Sequence, residues 1–266
     1  MKLTNKLNLP LALVRACTND TYRRGDADFT VTELTSPPRV RALMLTHADE
    51  LTEDVSDVLY RLCGSIGHGI IERAGDNSEN EDIIERRFKA AVTVDGKEYT
   101  VSGQADLVRD NANAPFDIWD WKFSSIYQFK NGPKPEYIAQ LNILRLLAKR
   151  DAKLEARGLY SAPIYRDWSA RQSKTTPAYP STQVQVFSVE RWPDCQTIGY
   201  ICERIQLHLA ARSGNLPECS PEERWSKGAT YRVVKKGGTR AAKNGIHALR
   251  QFAESHQKQL GDDYVV

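Results

Sequence analysis

Residues 116–123, Phe-Asp-Ile-Trp-Asp-Trp-Lys-Phe, read as a strand that carries two charges on a face otherwise fit for burial. Side chains alternate along a strand, so Phe116, Ile118, Asp120 and Lys122 share one face, while Trp119 and Trp121 share the other. An unpartnered buried charge costs on the order of several kcal/mol. Asp120 and Lys122 therefore require either a strand that surfaces at its end or a site that itself holds charge. The two tryptophans, facing away, are expected to pack in the core.

The segments around this strand have the order of an α/β protein. Thr52 is the expected N-cap of a helix running to about Ala74, with Gly75 at its end. Val55, Val58, Leu59, Leu62, Cys63, Ile66 and Ile70 make its apolar stripe. Asp95-Gly96 separates two alternating runs, a hairpin signal, and with residues 116–123 these give three strands. A second helix from Glu136 is expected to end at Gly158. A fourth strand follows within 158–168, another within 181–189, and then a long helix across 193–214. The first fifty residues read as irregular, with Pro37 and Pro38 breaking any helix. Helix, three strands, helix and strand predict a mixed central β-sheet flanked by helices, with helical N- and C-terminal additions. The chain divides by pattern into an N-terminal extension (1–54), a core (55–190) and a C-terminal helical and basic region (191–266), all in a single domain.

Composition narrows the setting. No run of about 18 apolar residues exists, so no membrane span is expected. The start, with Pro10 and Arg15 interrupting a short apolar patch, lacks the pattern of a secretory signal, which points to the cytoplasm. Cys17, Cys63, Cys195, Cys202 and Cys219 are odd in number and form no CxxC pair, which argues against a disulfide framework or zinc knuckle. Net charge is +3, yet Arg224–Arg250 holds eight Lys or Arg and no Asp or Glu. That one-signed excess, with Trp225 and Tyr231 inside it, favours a polyanionic partner.

The residues fit for chemistry precede that basic run. His68 and Glu72, four apart on the first helix, share a face that points away from the apolar stripe. Gly64 and Gly67 beside them cost helix stability, which is tolerable where backbone must approach another element. Gly103 in a strand suggests a kink or close approach, and Asp106 follows it. Gln104, on the face of Asp106, either approaches the site or caps a strand. Asp106 and Asp120 from adjacent strands, with Lys122 nearby, make a set suited to a hard divalent cation that completes its shell with substrate phosphate. An imidazole from His68 would also suit Mn²⁺.

This ordered set resembles the PD-(D/E)XK nuclease superfamily, in particular its RecB-type exonuclease branch. The matching pieces are "GSIGHGIIE" with His68 and Glu72, Glu85 in "IIERRF", "GQAD" with Gly103 and Asp106, "DWK" from Asp120 to Lys122, and Gln140 in "YIAQLNIL". They span roughly residues 55 to 168; Leu144 departs from the pattern by standing where tyrosine is common. The resemblance implies a restriction-endonuclease-like core and a metal-dependent deoxyribonuclease, an exonuclease of phage DNA recombination or processing. It implies His68, Asp106, Asp120 and the backbone carbonyl of Trp121 as ligands of one or two Mg²⁺ or Mn²⁺ ions. Asp106, Asp120, Lys122 and Gln140 would be the catalytic residues, supported by Glu72, Glu85 and Gly103. The branch includes iron–sulfur members, but Cys195, Cys202 and Cys219 are spread too widely for that cluster, and none is expected.

DNA is the expected partner, bound through its backbone by Lys130, Lys134, Lys227, Arg232, Lys235, Lys236 and Arg240. A single-strand annealing or recombination protein is a further expected partner, in the cytoplasm of a bacterial host. The alternatives are a structure-specific endonuclease, such as a junction resolvase or restriction-like enzyme, and a non-catalytic DNA-binding module on the same fold.

Overall fold

Asp95 and Gly96 both take positive φ, 50° and 77°, and reverse the chain in two residues, as a type I′ hairpin requires. That turn organises the protein, which is described here from a computed structural model covering residues 2–18, 25–75, 83–109, 115–224, 226 and 228–266. Contacts divide it into two compact units, Met1–Pro217 and Glu218–Val266.

The first unit begins with β1 (Lys2–Thr4), α1 (Leu11–Thr18), β2 (Phe29–Thr30), α2 (Val31–Thr35) and α3 (Pro38–Thr46). It continues through β3 (Thr52–Asp54), α4 (Val55–Gly75), β4 (Ile83–Val94), β5 (Lys97–Arg109) and β6 (Phe116–Ser124). A 3₁₀ turn at Ile126–Asn131 leads to α5 (Pro135–Ala152), β7 (Ala156–Tyr165), α6 (Ala170–Thr175), β8 (Phe187–Ser188) and α7 (Asp194–Arg212). The main sheet has six strands in the order β2-β5-β6-β7-β8, with β4 paired to the other edge of β5. It is mixed. The β4–β5, β5–β6 and β7–β8 pairs are antiparallel, while β6–β7 and β2–β5 are parallel. Parallel neighbours need a crossover, and α5 supplies it between β6 and β7.

Leu141, Ile143, Leu144, Leu146 and Leu147 of α5 form the core with Val101, Ala105, Val108, Ile118 and Leu159 of the sheet and Ile201 and Ile205 of α7. Because α5 is enclosed so widely, its polar residues are satisfied locally. The buried Asn142 amide donates to the carbonyls of Ile138 and Glu190, and its oxygen accepts the Trp192 N–H. On α7, His208 is 2% exposed and lies 6.3 Å from the Phe29 ring. Burial, with the nearby Arg204 charge, pushes its pKa down to about 4.

Several expected boundaries move, each for a local reason. Thr52 lies in β3, and it is Asp54 that accepts the Ser56 N–H (3.1 Å) and hydroxyl (2.7 Å) where α4 begins. Pro38 starts a helix rather than breaking one, since a proline at the first helical position lacks only an N–H that would have no partner there. The second helix ends at Ala152, where Lys153 turns left-handed with φ 59°, and Gly158 lies inside β7. A Cβ on Gly158 would stand 2.6 Å from Asp117 Oδ1, so the glycine serves strand packing.

The second unit, drawn from the sequence as the end of a single domain, holds β9 (Tyr231–Lys235), β10 (Ala241–His247), α8 (Arg250–Leu260) and β11 (Tyr264–Val265). Its strands form an antiparallel sheet in the order β10-β9-β11. The expected helical addition thus includes a sheet, which Val233-Val234 and the Gly237-Gly238 reversal favour locally. Val233 and Ala253 are buried between sheet and helix, and His247 Nε2 meets His256 Nδ1 at 2.9 Å across the same layer.

Candidate metal centre and active site

The centre is built on the hairpin. A two-residue turn at Asp95-Gly96 pairs Val94 with Lys97, and the same register sets Arg87 opposite Gln104. Glu85 falls between residues paired with Ala105 and Leu107, opposite Asp106. The far edge of β5 meets β2 at Val101 and Ser102, and β6 at Leu107–Arg109. Among the described residues, 103–106 face a gap between those contacts, and the sequence there is Gly-Gln-Ala-Asp. Asp106 fills it by accepting the Trp121 N–H on Oδ2 at 2.7 Å. A Cβ on Gly103 would press into Val31 Cγ2 and stand 2.7 Å from Leu144 Cδ2, so the close approach expected there is real. It also places Leu144 in the core.

Helix α4 closes the site from above β6. Val55 and Val58 are buried, but the later part of the expected stripe is not: Cys63 is exposed, Ile66 is 56% and Ile70 53% exposed. The helix instead turns its Gly67 and His68 edge to the sheet. A Cβ on Gly67 would fall inside the Phe123 ring, so any larger residue would have to displace that ring. Nothing crowds Gly64, which lacks the close neighbour expected of it. His68 packs edge-on against Phe123 at 5.8 Å. It therefore faces the sheet instead of pointing away from the packed side.

His68, Glu85 and Asp106 each offer a ligand atom, and these atoms all lie within 4.8 Å of one another. His68 Nδ1 is 3.6 Å from Glu85 Oε1 and 3.8 Å from Asp106 Oδ1. The Glu85 contact raises the imidazole pKa, burial opposes it, and the Asp106 charge adds to the rise. Burial and then the Asp120 charge push the Asp106 carboxyl up to about 7. Glu85 itself, the third residue of β4, has φ 50°, a left-handed conformation that costs a non-glycine residue about 1 kcal/mol or more. Its second oxygen is held: Arg87 Nη2 donates to Gln104 Oε1 at 2.8 Å, and Gln104 Nε2 donates to Glu85 Oε2 at 2.6 Å.

Beside this cluster stands a second one. Lys122 Nζ donates to Asp120 Oδ1 at 2.8 Å and to Gln140 Oε1 at 3.2 Å, and Gln140 Nε2 donates to the same Asp120 oxygen at 3.0 Å. Burial disfavours the ammonium, but Asp120 and Asp106 outweigh it and raise its pKa. Tyr137 lies beneath the same nitrogen, its ring centre 4.9 Å away. Asp120 Oδ2 is buried and has no hydrogen-bond partner among the described residues. On the reverse face Trp119 stacks on Tyr160 at 4.5 Å and Trp121 at 5.9 Å, forming a half-buried aromatic row.

Thus His68, Glu85, Asp106, Asp120, Lys122 and Gln140 are drawn together from three strands and two helices, with Trp121 tied in through its N–H. Glu72 is exposed on α4 and stands apart from the three-residue cluster. Lys134 lies 3.6 Å from Glu136 at the start of α5. The Lys130 side chain and Lys227 lie outside the described residues. Sequence reasoning missed the Arg87–Gln104 clamp and the joining of Glu85 to the ligand cluster. Counting outward from the two-residue turn would have found both.

No protein-family model and no curated protein matches the chain. Among solved structures, the crystal structure of SSO0001 is similar with a TM-score of 0.55 at 19% identity, over 80% of this chain and 88% of that one. LHK-Exo in complex with dAMP gives a TM-score of 0.38 at 15% identity, over 75% of this chain and 91% of that one. The first likeness establishes the fold and nothing about activity; the second is too distant to add to it. Among the described residues, no helix is long and apolar enough to cross a membrane.

Proposed function

We propose that the chain is a metal-dependent deoxyribonuclease that hydrolyses phosphodiester bonds by water attack, acting as an exonuclease. The observation that carries this reading is the placement of the His68–Glu85–Asp106 cluster beside a lysine held by Asp120 and Gln140. The donor set fits a divalent cation of the Mg²⁺ or Mn²⁺ type, with carboxylate oxygens and one imidazole. Two features support the fit. Asp106 is held near pH 7 by burial and neighbouring negative charge, a penalty that a cation would relieve. Asp120 Oδ2 is a buried oxygen without a partner among the described residues, available as a further ligand. A cation held by His68, Glu85 and Asp106 would supply a Lewis acid for a phosphodiester oxygen and a water of lowered pKa.

The remaining work falls to the chain's own side chains. Lys122 stays protonated between two carboxylates, so it can orient a water and stabilise charge growing on the phosphate. Gln140 bonds both Lys122 and Asp120, which limits where the ammonium can point. Trp121 fixes Asp106 through its N–H, leaving Oδ1 turned to His68.

The test is digestion of end-labelled linear DNA beside closed circular DNA, with Mg²⁺, Mn²⁺ or chelator. Loss of label from linear DNA alone is the expected result. Nicking of circles would replace the exonuclease reading with an endonuclease one, and no cleavage under either metal would end the enzyme reading.

A further inference from the structure

Within the second unit, α8 covers one face of the three-stranded sheet, and among the described residues no other element of the unit covers the opposite, bare face. Register identifies the bare side: Ile246 pairs with Arg232, and Ala241 and Val265 both pair with Val234. Ile246 is 67% exposed there, and Val265 is also exposed. Lys236, also exposed, follows in the turn at the end of β9. Lys243, likewise exposed, stands just before the register shift that the left-handed Asn244 (φ 56°) introduces into β10. Arg232 Nη1 donates to the Thr239 carbonyl at 3.3 Å, which brings its guanidinium beside the turn that carries Lys236 and Arg240. The bare face is therefore an apolar centre with cations around it.

The distribution of acids sharpens the picture. The unit has nine Lys or Arg and six Asp or Glu. Glu218, Glu222 and Glu223 precede the sheet, Glu254 lies on α8, and Asp262 and Asp263 lie in the turn before β11. β9, β10 and the turn between them hold none. Lys235 falls on the α8 side of β9, and Arg250 is paired with Glu254 at 2.8 Å. Of the cations assigned to the bare face, Lys236 stands across from Asp263, whose carbonyl accepts its N–H, while Arg232, Arg240 and Lys243 lie on a stretch that holds no acid.

We propose that this sheet face grips the phosphate backbone of DNA, with Arg232, Lys236, Arg240 and Lys243 on phosphates and Ile246 against sugar or base edges. The choice of DNA among polyanions rests on the deoxyribonuclease reading of the first unit. Charge complementarity excludes a second copy as the occupant, because pairing two such faces would set cations against cations. Arg232 and Lys236 lie four residues apart, up to about 13 Å along an extended chain, enough to reach more than one phosphate. Contacts of this kind carry no base sequence but give a steep salt dependence.

The experiment uses the full chain with chelator present, following anisotropy of labelled duplex and single-stranded DNA as salt is raised. Arg232→Gln, Lys236→Gln and Lys243→Gln combined should weaken binding by roughly tenfold or more and flatten the slope of log affinity against log salt, by up to about 0.9 per lost phosphate contact. Ile246→Asp should weaken binding as well. Arg250→Gln with Lys258→Gln, charge changes on α8, should change little. Unaltered binding by the triple variant overturns the proposal, as does an equal loss in the Arg250/Lys258 variant, which would make the effect one of net charge. If the triple variant is unfolded by circular dichroism, Ile246→Asp and the single substitutions decide. DNA cleavage by the wild type with Mg²⁺ or Mn²⁺ separates the two readings. Cleavage with binding unchanged in the variants fails this proposal alone; binding through this face without cleavage fails the nuclease reading alone.

Discussion

In Met1–Pro217, basic and acidic residues number 28 each, and the charges at the centre are fixed by contact with one another. Asp120 is 1% exposed and bonded to Lys122; Asp106 is bonded to the Trp121 amide; Glu85 is clamped through Gln104. In Glu218–Val266 nine basic residues face six acidic ones, and Arg232, Lys236, Arg240 and Lys243 are all exposed. The difference matches the two uses of charge proposed above. Groups that must act on one bond need fixed positions in a place where water screens little, and the fold restricts them from several sides. Groups that hold a polymer need reach and number, and their interaction weakens as salt rises.

The comparison can be broken most directly at Lys122. Lys122→Ala should slow single-turnover cleavage by about 10²- to 10³-fold, the size seen when one charge-stabilising donor is removed. DNA binding with chelator present should stay at the wild-type level. A parallel fall in both would mean that Lys122 belongs with the binding cations, and the division between the units would fail.

Gln104 offers a finer test of the same division. Gln104→Ala removes the donor that holds Glu85 Oε2 and leaves the three proposed ligand residues intact. Mn²⁺ affinity measured by calorimetry should fall by about 10-fold or more, as when the group that orients a ligand is lost. DNA affinity in chelator should not move. Unchanged Mn²⁺ affinity would show that Glu85 is either held by other contacts or not a ligand.

Stability should respond where the first unit depends on close approach. Gly103→Ala places a methyl against Val31 and Leu144 and should cost roughly 1–3 kcal/mol in urea unfolding. An equivalent change at Gly64, which has no such neighbours, should cost nothing of that kind. The smallest effect is expected at His208. Its pKa is about 4 in the folded protein against 6.5 for the ordinary side chain, so the unfolded chain takes up the proton first. This contribution is complete above about pH 6.5 and is lost as pH falls toward 4. His208→Gln should therefore lessen the fall in stability between pH 7 and pH 5, by on the order of 1 kcal/mol. Identical pH profiles for the two proteins would remove His208 from the account.

Much of this was legible in the chain because it depends on short-range rules. Asp95-Gly96 announces the hairpin and fixes its register, Gly103 announces a close approach, and the Asp120–Lys122 alternation puts both on one side of β6. The outer half of α4 was not legible. Its apolar stripe reads as a buried face, yet Ile66 and Ile70 are exposed because contact at Gly67 outweighs their burial: the Phe123 ring occupies the space a Cβ would take. Pro38 misled for a similar reason, since a proline breaks a helix from within but starts one readily. The sheet of the second unit was missed because its strands, of five, seven and two residues, are too short and too mixed to show a clear alternation.

By itself the sequence determined the mixed α/β order, the hairpin and its pairing, and which residue types could hold a cation. Tertiary structure alone decided that β5 pairs with β6 only from Leu107 onward, leaving before it the gap in which Asp106 takes the Trp121 amide. It decided too that His68 turns toward Glu85 and Asp106, and that Asp120 spends one oxygen on Lys122. The physical reason is range. Periodicity and turn chemistry act over a few residues and survive in any context, whereas the facing of a helix and the parting of two strands are set by which distant side chains compete for the same space.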